Sequence, residues 1–392
     1  MENARRTYRR YIALLLAPAV AAALGIGASL LVLERVGERV SPPKIAESLQ
    51  ATGGLYGSAL HDDAYAFKLA LAARRQPQVA IVGSSRTLTV ASEFFAVPTA
   101  NLGLMASSTR QLEAAVNDVL AVARPQLLVL GIDFFWFHPQ WAGPFVLSPN
   151  AELSRKLTPN KLLAPYRWLA LGQIRPDEAF AALAGRPPNL LAVPAIGWRA
   201  RSRGDGYAAD GQYVYGSQIF GRRPADDEGF ADTLDRIARG TSQFRHGREI
   251  DADAFAPLAR TIARLRGEGI AVVTYLPPLA PIVDAAMRAQ PERYAYVDAV
   301  RARMAALSPQ HLDATDIAPL GANDCEFVDG FHAGAVASAR VLAALASTDL
   351  GRYLDAGKIA DAIATHAGKV ATDLRYARPG EREVNFLGLP CK

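Results

Sequence analysis

The chain has 392 residues, half of them apolar, two cysteines and a formal net charge of +5. That length buries one large core or two modest ones, and length alone does not choose between them. Arg5, Arg6, Arg9 and Arg10 crowd the first ten residues with only Glu2 against them, so the rest of the chain is nearly neutral and nucleic acid is excluded as a leading partner.

Residues 11–33 hold no charged side chain and are rich in Leu, Ala, Val and Ile. As a helix at 1.5 Å per residue this run spans roughly 34 Å, enough for a hydrocarbon core of about 30 Å. The sequence therefore predicts a transmembrane helix over 11–33 behind a cytoplasmic basic segment, 1–10, with the bilayer as a partner. The positive-inside rule sends Glu34 and all that follows outward, giving a single-pass protein of the inner, or cytoplasmic, membrane with a periplasmic or other extracytoplasmic domain. A cleaved signal peptide is the competing reading, since residues 17–23 contain small-x-small patterns. Its apolar region normally covers only about 7–15 residues, which favours an uncleaved anchor. Pro18 is tolerable in the first half of a buried helix.

Residues 34–77 read as a stalk and an amphipathic approach, broken at Pro42-Pro43 and Gly53-Gly54. An α/β domain is expected over 78–347. Its first strand is the short apolar run 79–82, as for a parallel strand buried on both faces. A second strand, 98–102, precedes a helix over 109–123 with Leu112, Ala115, Val116, Val119, Leu120 and Val122 at helical spacing, closed by Pro125. A third strand follows at 127–130, and strand, helix, strand in this order predicts a right-handed parallel crossover. Residues 134–250 are rich in Trp, Pro, Gly and Arg and far exceed an ordinary connection of about 4–6 residues, so they read as an insertion that shapes a site or a partner surface. Alternation resumes with a helix over 253–266, a strand at 270–275, a helix at 291–307, a short strand at 311–314 and a last core helix at 333–345. Residues 348–392 add a helix near 358–374 and an extended tail. Cys325 and Cys391 fit an oxidising compartment, and whether they pair is left open because spacing does not supply the Cα separation.

Two short motifs carry the chemistry. Gly83-Ser84-Ser85-Arg86 ends the first core strand, and the carboxyl edge of an open α/β sheet is where ligands bind. Gly-Ser-Ser alone equally marks a turn. Asp329-Gly330-Phe331-His332 precedes the last core helix. A serine needs a base to become a nucleophile, and the base needs an orienting carboxylate; Asp-x-x-His offers both from one loop, although alone it also fits a helix cap with an incidental His.

With these blocks in this order the chain resembles the SGNH/GDSL hydrolase-like superfamily. Within it, the chain is similar to membrane-anchored envelope O-acyltransferase relatives typified by the alginate acetylation proteins and the D-alanyl transfer protein of teichoic acids. The resemblance covers roughly 78–347 and implies a three-layer α/β sandwich around a central, mainly parallel sheet, after one N-terminal transmembrane helix. It implies Ser85 as nucleophile, His332 as base and Asp329 as its orienting carboxylate. Asn101-Leu102-Gly103 fits the second block, so the resemblance implies an oxyanion hole of the Ser85 and Gly103 amides.

The third block departs from the family pattern: where an Asn is usual, Gly131-Ile132-Asp133 stands. An ionised Asp133 donates no hydrogen bond, and one missing oxyanion donor costs on the order of 10²–10³ in rate. Arg86 is then a candidate helper, and Arg86 and Asp133 are candidate substrate-binding residues. No cofactor or metal is implied. The implied function is an extracytoplasmic O-acyltransferase or acylesterase acting on a cell-envelope or secreted polysaccharide through an acyl-enzyme, with a membrane-bound O-acyltransferase as a partner that delivers the acyl group. The alternative is a non-catalytic SGNH-like subunit that binds polysaccharide or scaffolds an acylation or export complex.

Other residues take plainer readings. Phe134, Phe135, Trp136, Phe137, His138 and Trp141 fit buried packing better than a substrate groove. Asp313 and Asp316 near His311 lack metal-ligand spacing and read as loop carboxylates. Arg199, Arg201, Arg203, Arg222 and Arg223 suit anionic lipid or polysaccharide, and equally a solvated surface. Residues 213–216 read as part of a hairpin.

Overall fold

The computed structural model describes residues 2–61, 63–143 and 155–391; the stretch 144–154 of the expected insertion lies outside them. In chain order the strands are β1 (Leu55–Tyr56), β2 (Val79–Val82), β3 (Thr99–Leu102), β4 (Leu127–Gly131), β5 (Ala195–Ile196), β6 (Asp205–Tyr207), β7 (Tyr213–Tyr215), β8 (Ala271–Leu276) and β9 (His311–Asp313). The protein is mixed α/β. Its core is a five-stranded sheet in the order β3-β2-β4-β8-β9, and every neighbouring pair is parallel.

Val82 sits level with Leu102 and Leu130, and Leu130 with Thr274. Parallel pairing in this register brings the loops after β2, β3, β4 and β8 to one rim of the sheet, and both sequence motifs meet there. All residues of β2, β3 and β4 are buried, which explains the unbroken apolar runs of β2 and β4. Val341, Leu342 and Leu345 of the helix Ala335–Leu345 lie against Ile81 and Val129, while the helices Thr109–Val122 and Phe255–Gly267 pack on one another. Ser108 caps the first of these, its hydroxyl accepting the Gln111 N–H.

Residues 34–77 differ from the stalk the sequence suggested. They fold into the helices Pro42–Thr52 and Ala64–Arg75 around β1, and Ile45, Ala46, Leu49, Tyr56, Phe67 and Leu71 form a buried cluster. The apolar faces are short, which is why the pattern reads as an amphipathic approach. This unit covers the open edge of β3. Lys68 Nζ donates to the carbonyls of Asn101 (2.7 Å) and Gly211, Arg75 Nε donates to the Thr99 carbonyl at 2.6 Å, and the Asn101 N–H reaches the Asp210 carbonyl at 2.8 Å. The edge is thereby satisfied without another strand.

The described part of the 134–250 insertion supplies short helices and three strands of a second sheet, β5-β1-β6-β7, whose β1 comes from the 34–77 unit and in which β6 and β7 form the hairpin expected near 213. The expected helix over 291–307 is Ala295–Leu307, and a separate helix, Pro281–Arg288, precedes it. The tail helix, Ala356–His366, stops short of 374 because Gly368 follows at positive φ. Cys325 and Cys391 are joined, with Cα atoms 5.7 Å apart.

The chain begins with one apolar helix, Glu2–Val36, of which Arg5–Val36 is long and apolar enough to cross a membrane. Its end is locked to the domain. The Val36 carbonyl accepts from the Gly197 N–H and from Arg201, and the buried Glu38 carboxylate accepts from the Ser58 hydroxyl and the N–H groups of Ala59 and Trp198.

Candidate active site

Beyond β2 the backbone turns sharply. Ser84 is extended and its hydroxyl accepts the Arg86 N–H at 3.1 Å, capping a single 3-10 turn over Ser85–Thr87. The turn sits close on the sheet because Gly83 and Gly103, which follow β2 and β3, and Gly131, which ends β4, surround the Thr87 side chain. A Cβ at any of the three would run into it.

The Asp329–His332 loop is a tight return closed by the Val328 N–H on the His332 carbonyl at 2.8 Å. Asp329 Oδ1 accepts the backbone N–H groups of Phe331 and His332, both at 2.7 Å, and Oδ2 lies 2.7 Å from His332 Nδ1. Since the carboxylate accepts, Nδ1 carries the proton and Nε2 is the accepting nitrogen. Nε2 stands 2.8 Å from Ser85 Oγ. Three side chains spread over nearly 250 residues thus form one hydrogen-bonded chain: carboxylate, imidazole, hydroxyl. Burial pushes the Asp329 carboxyl up, but the neighbouring His332 and the three hydrogen bonds outweigh it and hold the group below the usual carboxylate range.

The structure turns Arg86 and Asp133 inward. Arg86 Nη1 pairs with Asp133 Oδ1 at 3.1 Å with both side chains sealed from solvent. Its other donors reach the carbonyls of Phe331 (3.1 Å), Pro277 (2.7 Å) and Pro278 (2.6 Å), and the guanidinium lies over the Phe331 ring. Arg86 therefore braces the loops after β4 and β8 and the His332 loop, and neither member of the pair faces a substrate. Burial lifts the Asp133 carboxyl above its ordinary value against the pull of Arg86 and of the Ser84 hydroxyl.

Gly103 is also placed differently from the role the resemblance gave it. Its N–H is taken by Asn101 Oδ1 at 2.8 Å, while Asn101 Nδ2 donates to the Thr87 and Val90 carbonyls. The Ser85 N–H has no partner among the described residues and is the amide left beside the hydroxyl.

Sequence reasoning missed two positioning residues. Asn101 was read only as part of a motif, though a polar side chain in a strand that is buried throughout signals a buried network. Asp227 in the insertion accepts the Gly330 N–H at 3.2 Å and the Thr233 hydroxyl at 2.6 Å, fixing the Asp329–His332 loop from outside. Its signal was faint: an Asp ahead of the helix Ala231–Arg239 reads as an ordinary cap.

The remaining candidates are packed in the core or engaged with other groups of the fold. Phe134, Phe135, Trp136 and Phe137 are buried, with Phe135 edge-on to Trp141. Asp313 pairs with Arg301 at 3.1 Å and Asp316 with Arg288 at 2.7 Å. Arg222 pairs with Glu381, Arg223 with Asp226, and Arg201 donates to the Val36 carbonyl.

No family model, curated protein or solved structure matches this chain.

Proposed function

We propose that the protein is a membrane-anchored, extracytoplasmic serine O-acyltransferase or acylesterase of the SGNH/GDSL type that acts on an envelope or secreted polysaccharide. The observation that carries this reading is the chain from Asp329 through His332 to Ser85, with the tautomer of His332 fixed by its carboxylate. The parallel sheet and the placement of both motifs at its rim support the same assignment.

In the proposed reaction Ser85 Oγ attacks an ester carbonyl carbon as its proton passes to His332 Nε2, and the carbonyl π pair moves onto oxygen. The Ser85 N–H faces that oxyanion. Collapse breaks the ester C–O bond, and the departing oxygen takes the proton from Nε2. A sugar hydroxyl, or water, then gives its proton to Nε2 and attacks the acyl-serine, and collapse breaks the acyl–Oγ bond as Ser85 Oγ takes the proton back from Nε2. Asp329 stays ionised throughout and stabilises the imidazolium.

The N-terminal helix would hold the domain at the outer face of the inner membrane, where a membrane-bound O-acyltransferase can deliver the acyl group. The Cys325–Cys391 disulfide fits that oxidising side. One observation favours the non-catalytic alternative: the Gly103 amide is already bonded and residue 133 offers no amide, so the oxyanion donor set is thin.

The deciding experiment treats the full chain in detergent with a chromogenic short-chain ester and examines it by mass spectrometry. The expected result is an acyl adduct on Ser85 that is lost in Ser85→Ala and does not form in His332→Ala. Absence of any adduct, together with full complementation of a deletion strain by Ser85→Ala, would refute catalysis and leave the binding role.

A further inference from the structure

Beside the N-terminal helix, the helices Pro159–Leu162, Ala164–Ala170 and Pro176–Leu183 form a collar. Val32, Leu33 and Val36 pack with Ala164, Trp168, Ile174 and Trp198, and the Trp168 and Trp198 rings stack. Higher on the helix, the Tyr166 hydroxyl donates to the Gly25 carbonyl and the Ser29 hydroxyl to the Leu162 carbonyl. The collar thus reaches back along the apolar helix as far as Gly25.

That reach conflicts with a membrane-spanning helix whose domain stands clear of the lipid. The uncovered apolar run, residues 11–24, extends only roughly 20 Å as a helix, against a hydrocarbon core of about 30 Å. The missing length is the part beside the collar. Ile26 and Leu31 remain exposed there, on the side the collar leaves open. The collar's own outer surface is apolar as well: Leu171 and Phe180 are 71% and 72% exposed, and Leu163, Tyr166 and Leu169 join them. Such residues are unremarkable singly, but here they are continuous with the lipid-facing helix. Arg167 on the collar and Lys156 and Arg186 just beyond its ends are exposed, as anionic headgroups would require, while Asp177 on the collar is paired with Arg175.

We infer that residues 159–183 form an interfacial collar that sinks into the outer leaflet around the helix. It inserts Leu163, Leu169, Leu171 and Phe180 to a depth of about 5–10 Å, the usual depth of an amphipathic interfacial helix. The occupant of this surface is lipid, and the domain is held to the membrane by two attachments in place of one swivelling tether. This inference rests on the reading that the N-terminal helix spans the bilayer.

The test uses the full chain in nanodiscs of phosphatidylethanolamine and phosphatidylglycerol, with single environment-sensitive labels at L171C, F180C, L16C and E292C, the last an exposed site elsewhere on the domain. Lipids brominated at shallow or deep acyl positions report depth. The expected result is that labels at 171 and 180 shift to the blue and are quenched chiefly by shallow bromines. The label at 16 should be quenched chiefly by deeper ones and that at 292 by neither. Labels at 171 and 180 that stay in water while the label at 16 is quenched would overturn the collar, leave the span intact and hand the apolar surface to a partner membrane protein. A label at 16 that also stays in water would remove the span itself.

Discussion

Arg86, the residue next to Ser85, forms a solvent-free ion pair with Asp133 at 3.1 Å, and the same guanidinium holds the Phe331 carbonyl of the His332 loop. Removing one partner leaves the other charge buried. Arg86→Met is expected to lower stability by about 3–5 kcal/mol, whereas the double replacement Arg86→Met with Asp133→Leu should recover most of it. Guanidinium unfolding of the four proteins of this cycle in one detergent measures both. A loss in the double variant equal to the sum of the two single losses would deny that the pair is coupled.

The glycine nest makes a sharper test of geometry. An alanine at 131 meets the Thr87 methyl, whereas an alanine at 103 meets the Thr87 hydroxyl. Gly131→Ala is expected to cost about 1–3 kcal/mol and to be largely rescued by Thr87→Ser, which deletes the methyl. Gly103→Ala should gain nothing from the same change. Thermal midpoints of the singles and doubles distinguish the two cases.

Lys68 has a titration of its own. Burial lowers its ammonium to about 7, with Asp210 pulling the other way. A base whose folded value is depressed binds fewer protons than the unfolded chain between the two values, so stability rises with pH across that window. The wild type is therefore expected to gain stability relative to Lys68→Met as pH rises from 7 toward 10, and to hold a constant difference below 7. Parallel pH curves for the two proteins would show that Lys68 does not titrate there.

The Cys325–Cys391 bond closes a loop with a sequence separation of 66, which in the chain-entropy model contributes roughly 4 kcal/mol. Cys391→Ser is expected to lower the unfolding free energy by about 2–4 kcal/mol and to expose the segment after 370 to limited proteolysis. An unchanged digestion pattern would show that packing of Val370 and Phe386 alone retains the tail.

Much of the sheet was legible because its strands are short, largely apolar and close to Gly or Pro: 79–82, 127–131 and 271–276 all advertise themselves. Ser85, Asp329 and His332 could be picked out because their residue types have few joint uses at strand and helix ends. Residues 34–77 were illegible as part of the globule, since their job is to cover the β3 edge, and the contacts that do so are one lysine, one arginine and backbone carbonyls. Asp133 could be seen to break the family pattern. That it faces Arg86 could not, because no local spacing records a pairing across 47 residues. The same holds for Gly103, whose amide is claimed by a side chain only two positions away through a turn with Leu104 at positive φ.

Pro277 and Pro278 offer carbonyls but no N–H, and Arg86 collects both along with the loops at 133 and 331. For protein engineering this makes the rim a single grafting unit. A specificity loop transplanted after β4 or β8 would sever the guanidinium from at least one acceptor, so loop exchange has to carry all of these segments together or begin by replacing Arg86.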